Sequence, residues 1–148
     1  MVQDGADLLF ARQPRFAARR HVVEIVKGGA GSGESLLECA KRELREELGI
    51  AARRWSELGI LYEIPSIVAP AVAIFLARDL EFGSTDPGLE ESISLVRMRI
   101  GDALAAAASG EIDDAVTIAA LLRFALLERH VIFAPDDEST LGPTNENA

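Results

Sequence analysis

Residues 35 to 49 carry a start and a stop signal for one helix, and that helix holds more negative charge than its own stability favours. Ser35 followed by Glu38 has the spacing of a capping box, in which the two residues satisfy backbone N–H groups left open in the first turn. Gly49 suits the left-handed residue that commonly ends a helix. Between them Leu37, Ala40, Leu44 and Leu48 recur at helical spacing and are expected to face a core. Glu43, Glu46 and Glu47 crowd into the last turns on another face. Carboxylates three or four apart repel by about 0.2–0.5 kcal/mol per pair. The C-terminal end of a helix is its negative end, which adds about 0.3–1 kcal/mol per charge. Arg42 and Arg45 offset part of this. A divalent cation would satisfy the whole cluster, because hard ions such as Mg²⁺ take oxygen ligands and bridge carboxylates to phosphates.

Ahead of the helix lies a glycine loop, Gly28 to Gly33. Loop and helix together resemble the signature box of the Nudix hydrolases, G-x5-E-x7-R-E-U-x-E-E-x-G-U with U aliphatic. The box positions fall on Gly28, Glu34, Arg42, Glu43, Leu44, Glu46, Glu47, Gly49 and Ile50, and none departs. A plain charge-rich surface helix would not need both glycines at these spacings. The resemblance implies metal-assisted attack of water on a pyrophosphate. It gives Glu43, Glu46 and Glu47 the ligand roles, with the backbone carbonyl of Lys27 as a further ligand. It implies Mg²⁺ as the cofactor, with Mn²⁺ as its substitute. Glu34 and Arg42 match positions that brace the loop against the helix and orient the ligands from behind.

The flanks narrow the branch. Arg12-Gln13-Pro14-Arg15, then Glu24 four residues before Gly28, resembles the R-Q-x-R and E-x-x-x-G pattern of ADP-ribose pyrophosphatases. Lys27-Gly28, Pro65-Ser66 and Ile112 to Leu121 look like the ADP-compound hydrolases of the same group. The resemblance implies substrate contacts for Arg15, Glu24 and Gly28. The guanidinium fork of Arg15 suits a phosphate. It also implies a general base in the loop before a late strand. The group writes that junction Glu-x-Ile, here Glu91-Ser92-Ile93, so Glu91 is the expected base and Glu90 its rival. The box itself, through Glu46, is the remaining source.

Composition is compatible with this. With 148 residues the chain is long enough for one domain with a real core. Its 24 acidic and 15 basic side chains leave a formal charge of −9. That disfavours a nucleic-acid backbone as partner, since such binding depends on Lys and Arg. A small nucleotide held through metal is not disfavoured. The single cysteine, Cys39, forms no disulfide framework and is read as a small buried hydrophobe in a reducing cytoplasm. The start shows no secretory pattern. The longest mostly apolar run, Ser66 to Ala77, is too short to span a bilayer. No membrane partner is expected.

Along the chain, Asp4-Gly5 is a hairpin signal. Strands are expected at Asp7–Arg12, His21–Val26, Trp55–Glu63, Ala71–Asp79 and Ser92–Ile100, with a basic loop from Gln13 to Arg20. Asp102 is expected to cap a short helix ending near Gly110. Asp113 or Asp114 is expected to cap a final helix whose apolar set is Ile118, Leu121, Leu122, Ala125 and Leu126. Strands mixed with helices near both ends suggest an α/β sandwich, and the resemblance implies the Nudix α/β/α sandwich with a mixed sheet. Residues 1–132 are expected to form that domain and the polar residues 133–148 a disordered tail. The expected activity is Mg²⁺-dependent hydrolysis of ADP-ribose or a related ADP compound to AMP and a phosphorylated product. The alternatives are a dinucleoside polyphosphate or nucleoside triphosphate substrate, or a non-catalytic nucleotide sensor. A homodimer stays open, because family members often build one from an N-terminal extension and few residues precede Asp4-Gly5 here.

Overall fold

The computed structural model describes residues 1–63, 66, 71–83 and 93–128. Strands β1 (Val2–Asp4) and β2 (Asp7–Arg15) form the expected hairpin. Gly5 in its turn has a φ of 60°, a left-handed conformation that glycine takes without a Cβ penalty. Then follow β3 (Arg20–Glu24), α1 (Leu36–Leu48), β4 (Ile50–Leu61), β5 (Val72–Phe82), β6 (Ser94–Arg99), α2 (Ile100–Ser109) and α3 (Ala115–Leu127).

β2 is the hub of the sheet. β6 pairs with it along Asp7–Arg12, and β1 and β3 share its opposite edge in succession. β1 continues the sheet to β5 through one parallel pairing, and β4 lies outside β5. The sheet is therefore mixed. Alternate side chains of β2 leave on opposite faces. Leu8 and Phe10 join the core under α2 and α3, whereas Leu9 and Ala11 join the core under α1. All four are buried, which explains why β2 reads as an unbroken apolar run. Helices on both faces make the α/β/α sandwich.

Several boundaries differ from expectation. β2 continues through Gln13 and Pro14 to Arg15, so the supposed basic loop shrinks to a turn at Phe16–Arg19. Pro14 is tolerated because, among the described residues, β2 has a neighbour on one edge only beyond Arg12. β4 starts at Ile50, not Trp55. Gly49 turns the chain directly out of α1 with a φ of 65°, and its carbonyl accepts the Gly83 N–H at 2.7 Å, which starts the β4–β5 pairing at once. Asp102 lies in the first turn of α2 and does not cap it, because β6 runs straight into that helix. There it still favours the helix dipole.

The last helix is turned relative to expectation. Its buried set is Val116, Thr117, Ala120, Leu121, Phe124 and Ala125, whereas Ile118, Leu122 and Leu126 are exposed. The segment is apolar almost all round, so spacing alone does not select a face. A polar anchor does. The Ile25 N–H donates to Thr117 Oγ1 at 3.0 Å, and that hydroxyl donates to Asp114 Oδ1 at 2.6 Å, drawing Thr117 inside.

Asp114 is the cap, accepting the Thr117 N–H at 2.8 Å, and it also pairs with Lys27 at 2.7 Å. Burial pushes its carboxyl up, but the hydrogen bonds from Lys27 and Thr117 outweigh that and hold it below the ordinary 3.8. A carboxyl depressed in the folded state adds stability that is complete above the ordinary value and lost as pH falls through the folded one. Asp114→Asn keeps the cap but loses this charge, so its urea midpoint is expected to fall less steeply with acidification than the wild type's. Asp114→Ala also loses the cap and is expected to be about 1 kcal/mol less stable than Asp114→Asn at neutral pH.

Candidate active site

The glycine loop leaves β3 and returns to α1 without regular structure, and the box residues tie its two ends together. α1 begins with the full capping box: Ser35 accepts the Glu38 N–H, and Glu38 accepts the Ser35 N–H. This fixes the helix phase, so that Arg42 and Glu43 face the loop. An ideal Cβ on Gly28 would stand 1.9 Å from the Glu43 carboxyl carbon. A side chain at position 28 would thus displace the Glu43 carboxyl, which lies against the loop backbone.

Arg42 is the centre of the box. Its Nε donates to Glu34 Oε1 at 2.9 Å and its Nη2 to Glu34 Oε2 at 3.1 Å. The same guanidinium reaches Glu43 at 2.7 Å, Glu46 at 2.9 Å and the Gly29 carbonyl at 3.0 Å. Glu34 also accepts the Gly31 N–H at 2.8 Å. The hydrogen bonds to Glu34, then to Glu43 and Glu46, raise the already high basicity of Arg42. Arg42 and the Gly31 N–H lower the pKa of Glu34. Arg42 and Glu34 therefore brace the loop on the helix. Arg42 additionally holds two of the three expected ligand carboxylates. Glu47 lies one turn beyond Glu43 on the same side and is half-buried, and Arg45 is exposed.

Among the described residues, no group of three or more acidic, histidine or cysteine side chains is gathered to hold an ion. Arg42 stands among these carboxylates and draws Glu43 and Glu46 to itself. The donor chemistry nevertheless fits a hard divalent ion. Three carboxylates leave one helix face, and Glu43 meets the loop backbone at Gly28, beside the Lys27 carbonyl.

A second network lies under the loop. Glu24 is only 1 % exposed. Its Oε1 accepts from Gln13 at 2.7 Å and from Arg15 Nε at 2.8 Å, and its Oε2 pairs with Lys27 Nζ at 2.8 Å. Lys27 then reaches Asp114 at the start of α3. Burial alone would lower the Lys27 pKa, but its hydrogen bonds to Asp114 and Glu24 raise it, so the ammonium stays charged. Arg15 and Glu24 are thus brought together, with the Arg15 side chain 42 % exposed at the end of β2. Gln13, Asp114 and the Lys27 side chain were not among the expected site residues. The R-Q-x-R pattern already contained Gln13; no sequence signal pairs Lys27 with Asp114 across 87 positions. Glu90 and Glu91 lie outside the described residues.

Beside Gly28 and Glu43 opens a cavity of about 660 Å³ between α1 and β5, walled by Leu36 and Ala40 and floored by Trp55, Ala73 and Phe75. This volume lies within the usual range of small-molecule sites, roughly 300–1,000 Å³. Residues 1–136 match the NUDIX domain. The chain belongs to the Nudix family. It is 30 % identical over 129 residues to an ADP-ribose pyrophosphatase of Bacillus subtilis (strain 168), a match covering 86 % of this chain and 70 % of that protein. Its fold is similar to that in the crystal structure of an ADP compounds hydrolase, with a TM-score of 0.80 and 24 % identity over 87 % of this chain and 70 % of the other. The protein is a Nudix hydrolase related to ADP-ribose pyrophosphatases, in a family that generally uses a divalent metal.

Gly28→Ala probes the joint between loop and helix. Gly28 is exposed and its φ is not left-handed, so the backbone accepts alanine. The Glu43 carboxyl has to move. A displacement on the order of 1 Å in a catalytic group costs roughly a hundredfold in rate. Steady-state kinetics should show a loss of that order while the melting temperature hardly changes. Unchanged kinetics would remove the close approach from the site.

Proposed function

We propose that this protein is a Mg²⁺-dependent pyrophosphohydrolase that cleaves the diphosphate of ADP-ribose or a related ADP compound. ADP-ribose and water would give AMP and ribose 5-phosphate. The observation that carries the reading is the Arg42-centred box: Arg42 holds Glu43 and Glu46, and Glu43 lies against Gly28 at the rim of a cavity of small-molecule size. The name of the Bacillus subtilis relative supports the choice of substrate.

Glu43, Glu46 and Glu47, with the Lys27 carbonyl, would hold the ion. Such an ion, when bound, supplies charge neutralisation at the diphosphate and a more acidic water. Glu91 accepts the proton of the attacking water, with Glu90 the rival and Glu46 the remaining carboxylate in the box. Arg15 contacts a phosphate of the substrate. Glu24 serves that contact from beneath, because its buried carboxylate fixes the guanidinium in one orientation. Lys27 keeps the end of the glycine loop in place through Glu24 and Asp114. Cys39 is buried and free, which accords with a cytoplasmic setting.

Two measurements test this. Mg²⁺ should raise the melting temperature of the wild type in a concentration-dependent way, because a ligand of the folded state stabilises it by mass action. Glu47→Gln should lose most of the turnover and much of that Mg²⁺-dependent shift while remaining folded; wild-type behaviour in both would remove Glu47 from the ligands. Glu91→Gln should lower turnover by roughly 10²–10⁴-fold with the Mg²⁺ shift intact, and Glu90→Gln should do much less. A reversal of the two would make Glu90 the base. A panel of ADP-ribose, NADH, diadenosine polyphosphates and nucleoside triphosphates decides the substrate class.

A further inference from the structure

The cavity beside the box is more apolar than a diphosphate requires. Among the described residues lining it only Lys27, Glu43 and Glu63 carry charged side chains, and Lys27 is already engaged by Glu24 and Asp114. Its floor is part of the sheet. β4 and β5 pair with Trp55 opposite Ala77 and Glu57 opposite Phe75. Trp55 and Phe75 are therefore diagonal neighbours on one face, a relation within reach of aromatic side chains. Ala73 lies on that same face, and its small side chain leaves the space above the floor open.

Trp55 is held in a defined pose. Its indole N–H donates to the Ala52 carbonyl at 3.0 Å, and it packs on the core under α1 while remaining half-buried. With its N–H engaged by Ala52, what the indole contributes to the cavity lining is aromatic carbon surface. Such a surface has no use for a phosphate or for a hydrogen-bonding sugar edge. It suits a planar heteroaromatic ring.

We propose that the Trp55 face is the seat of the substrate's nucleobase, with Phe75 and Ala73 as the rest of its floor, so that the nucleoside half of the substrate enters the cavity and the diphosphate stays at the Gly28–Glu43 rim. The inference rests on the reading of the protein as a hydrolase of nucleoside diphosphate derivatives. Trp55 acts here on binding and selection, not on proton transfer.

Trp55 is the single tryptophan of the chain, so its fluorescence reports on this place alone. The metal-free wild-type protein is titrated with AMP and, separately, with ribose 5-phosphate, with free tryptophanamide as the control for light absorption by the nucleotide. Saturable quenching by AMP and none by ribose 5-phosphate is the expected result. Trp55→Leu should raise the KM for ADP-ribose roughly ten- to a hundredfold, as the loss of one stacked base does, with kcat within about threefold. Trp55→Phe should recover most of the affinity. A response to ribose 5-phosphate but not to AMP would put the other half of the substrate in the cavity and overturn the proposal. No response to AMP, in a wild type that hydrolyses ADP-ribose, would overturn it and leave the activity standing. Saturable quenching by AMP in a protein that hydrolyses no ADP compound would keep the seat and overturn the activity.

Discussion

One guanidinium holds the loop, the helix and the carboxylates of Glu34, Glu43 and Glu46 in register. Arg42 forms a fork with Glu34 and spends its remaining donors on Glu43, Glu46 and the Gly29 carbonyl. A lysine could not do this, because it offers a point charge without a planar fork. Without Arg42, the helix would present its like charges on the same face, at the end where the dipole is already negative. The arginine makes that charge density tolerable and ties it to the glycine loop. The close approach of Glu43 to Gly28 completes the joint from the other side, since a Cβ there would occupy the space of the carboxyl.

A buried carboxylate does the corresponding work beneath the loop. Glu24 takes Gln13, Arg15 and Lys27 into one cluster, and Lys27 passes the connection to Asp114 at the start of α3. Burying a charge is tolerable only when partners replace its water. Glu24 has them on both oxygens. The cluster thus sets the direction of Arg15, the height of the glycine loop and the rotation of α3 together. Removing one member strands the others, which is why such groups act as a unit.

Much of the site could be read directly. Ser35, Glu38 and Gly49 carry their own backbone chemistry, and α1 starts and stops where they say. The box spacing places Glu34, Arg42 and Glu43 at one joint, and they meet there. Strand ends were harder. Gln13 to Arg15 looked like loop because of Pro14 and the charges, yet pairing with β3 makes them strand. Ile50 to Arg54 lacked an alternating pattern, and it was the Gly49–Gly83 contact that drew them into the sheet. On α3 the apolar residues cover too much of the circumference for periodicity to choose a side. Thr117, a residue that apolar periodicity passes over, chose it.

The sequence by itself determined the elements whose cause is local: the capped helix, the hairpin at Gly5, the glycine that ends α1, and the order of carboxylates along one helix face. These depend on neighbours within about four positions, where backbone geometry leaves few options. Only the tertiary structure decided what depends on partners far along the chain. The pairing of Lys27 with Asp114, the burial of Glu24 under Arg15, and the cavity floored by Trp55 and Phe75 all join segments whose contact the sheet topology creates. A side chain's charge and shape are written at its own position, but the partner that completes it is supplied by the fold.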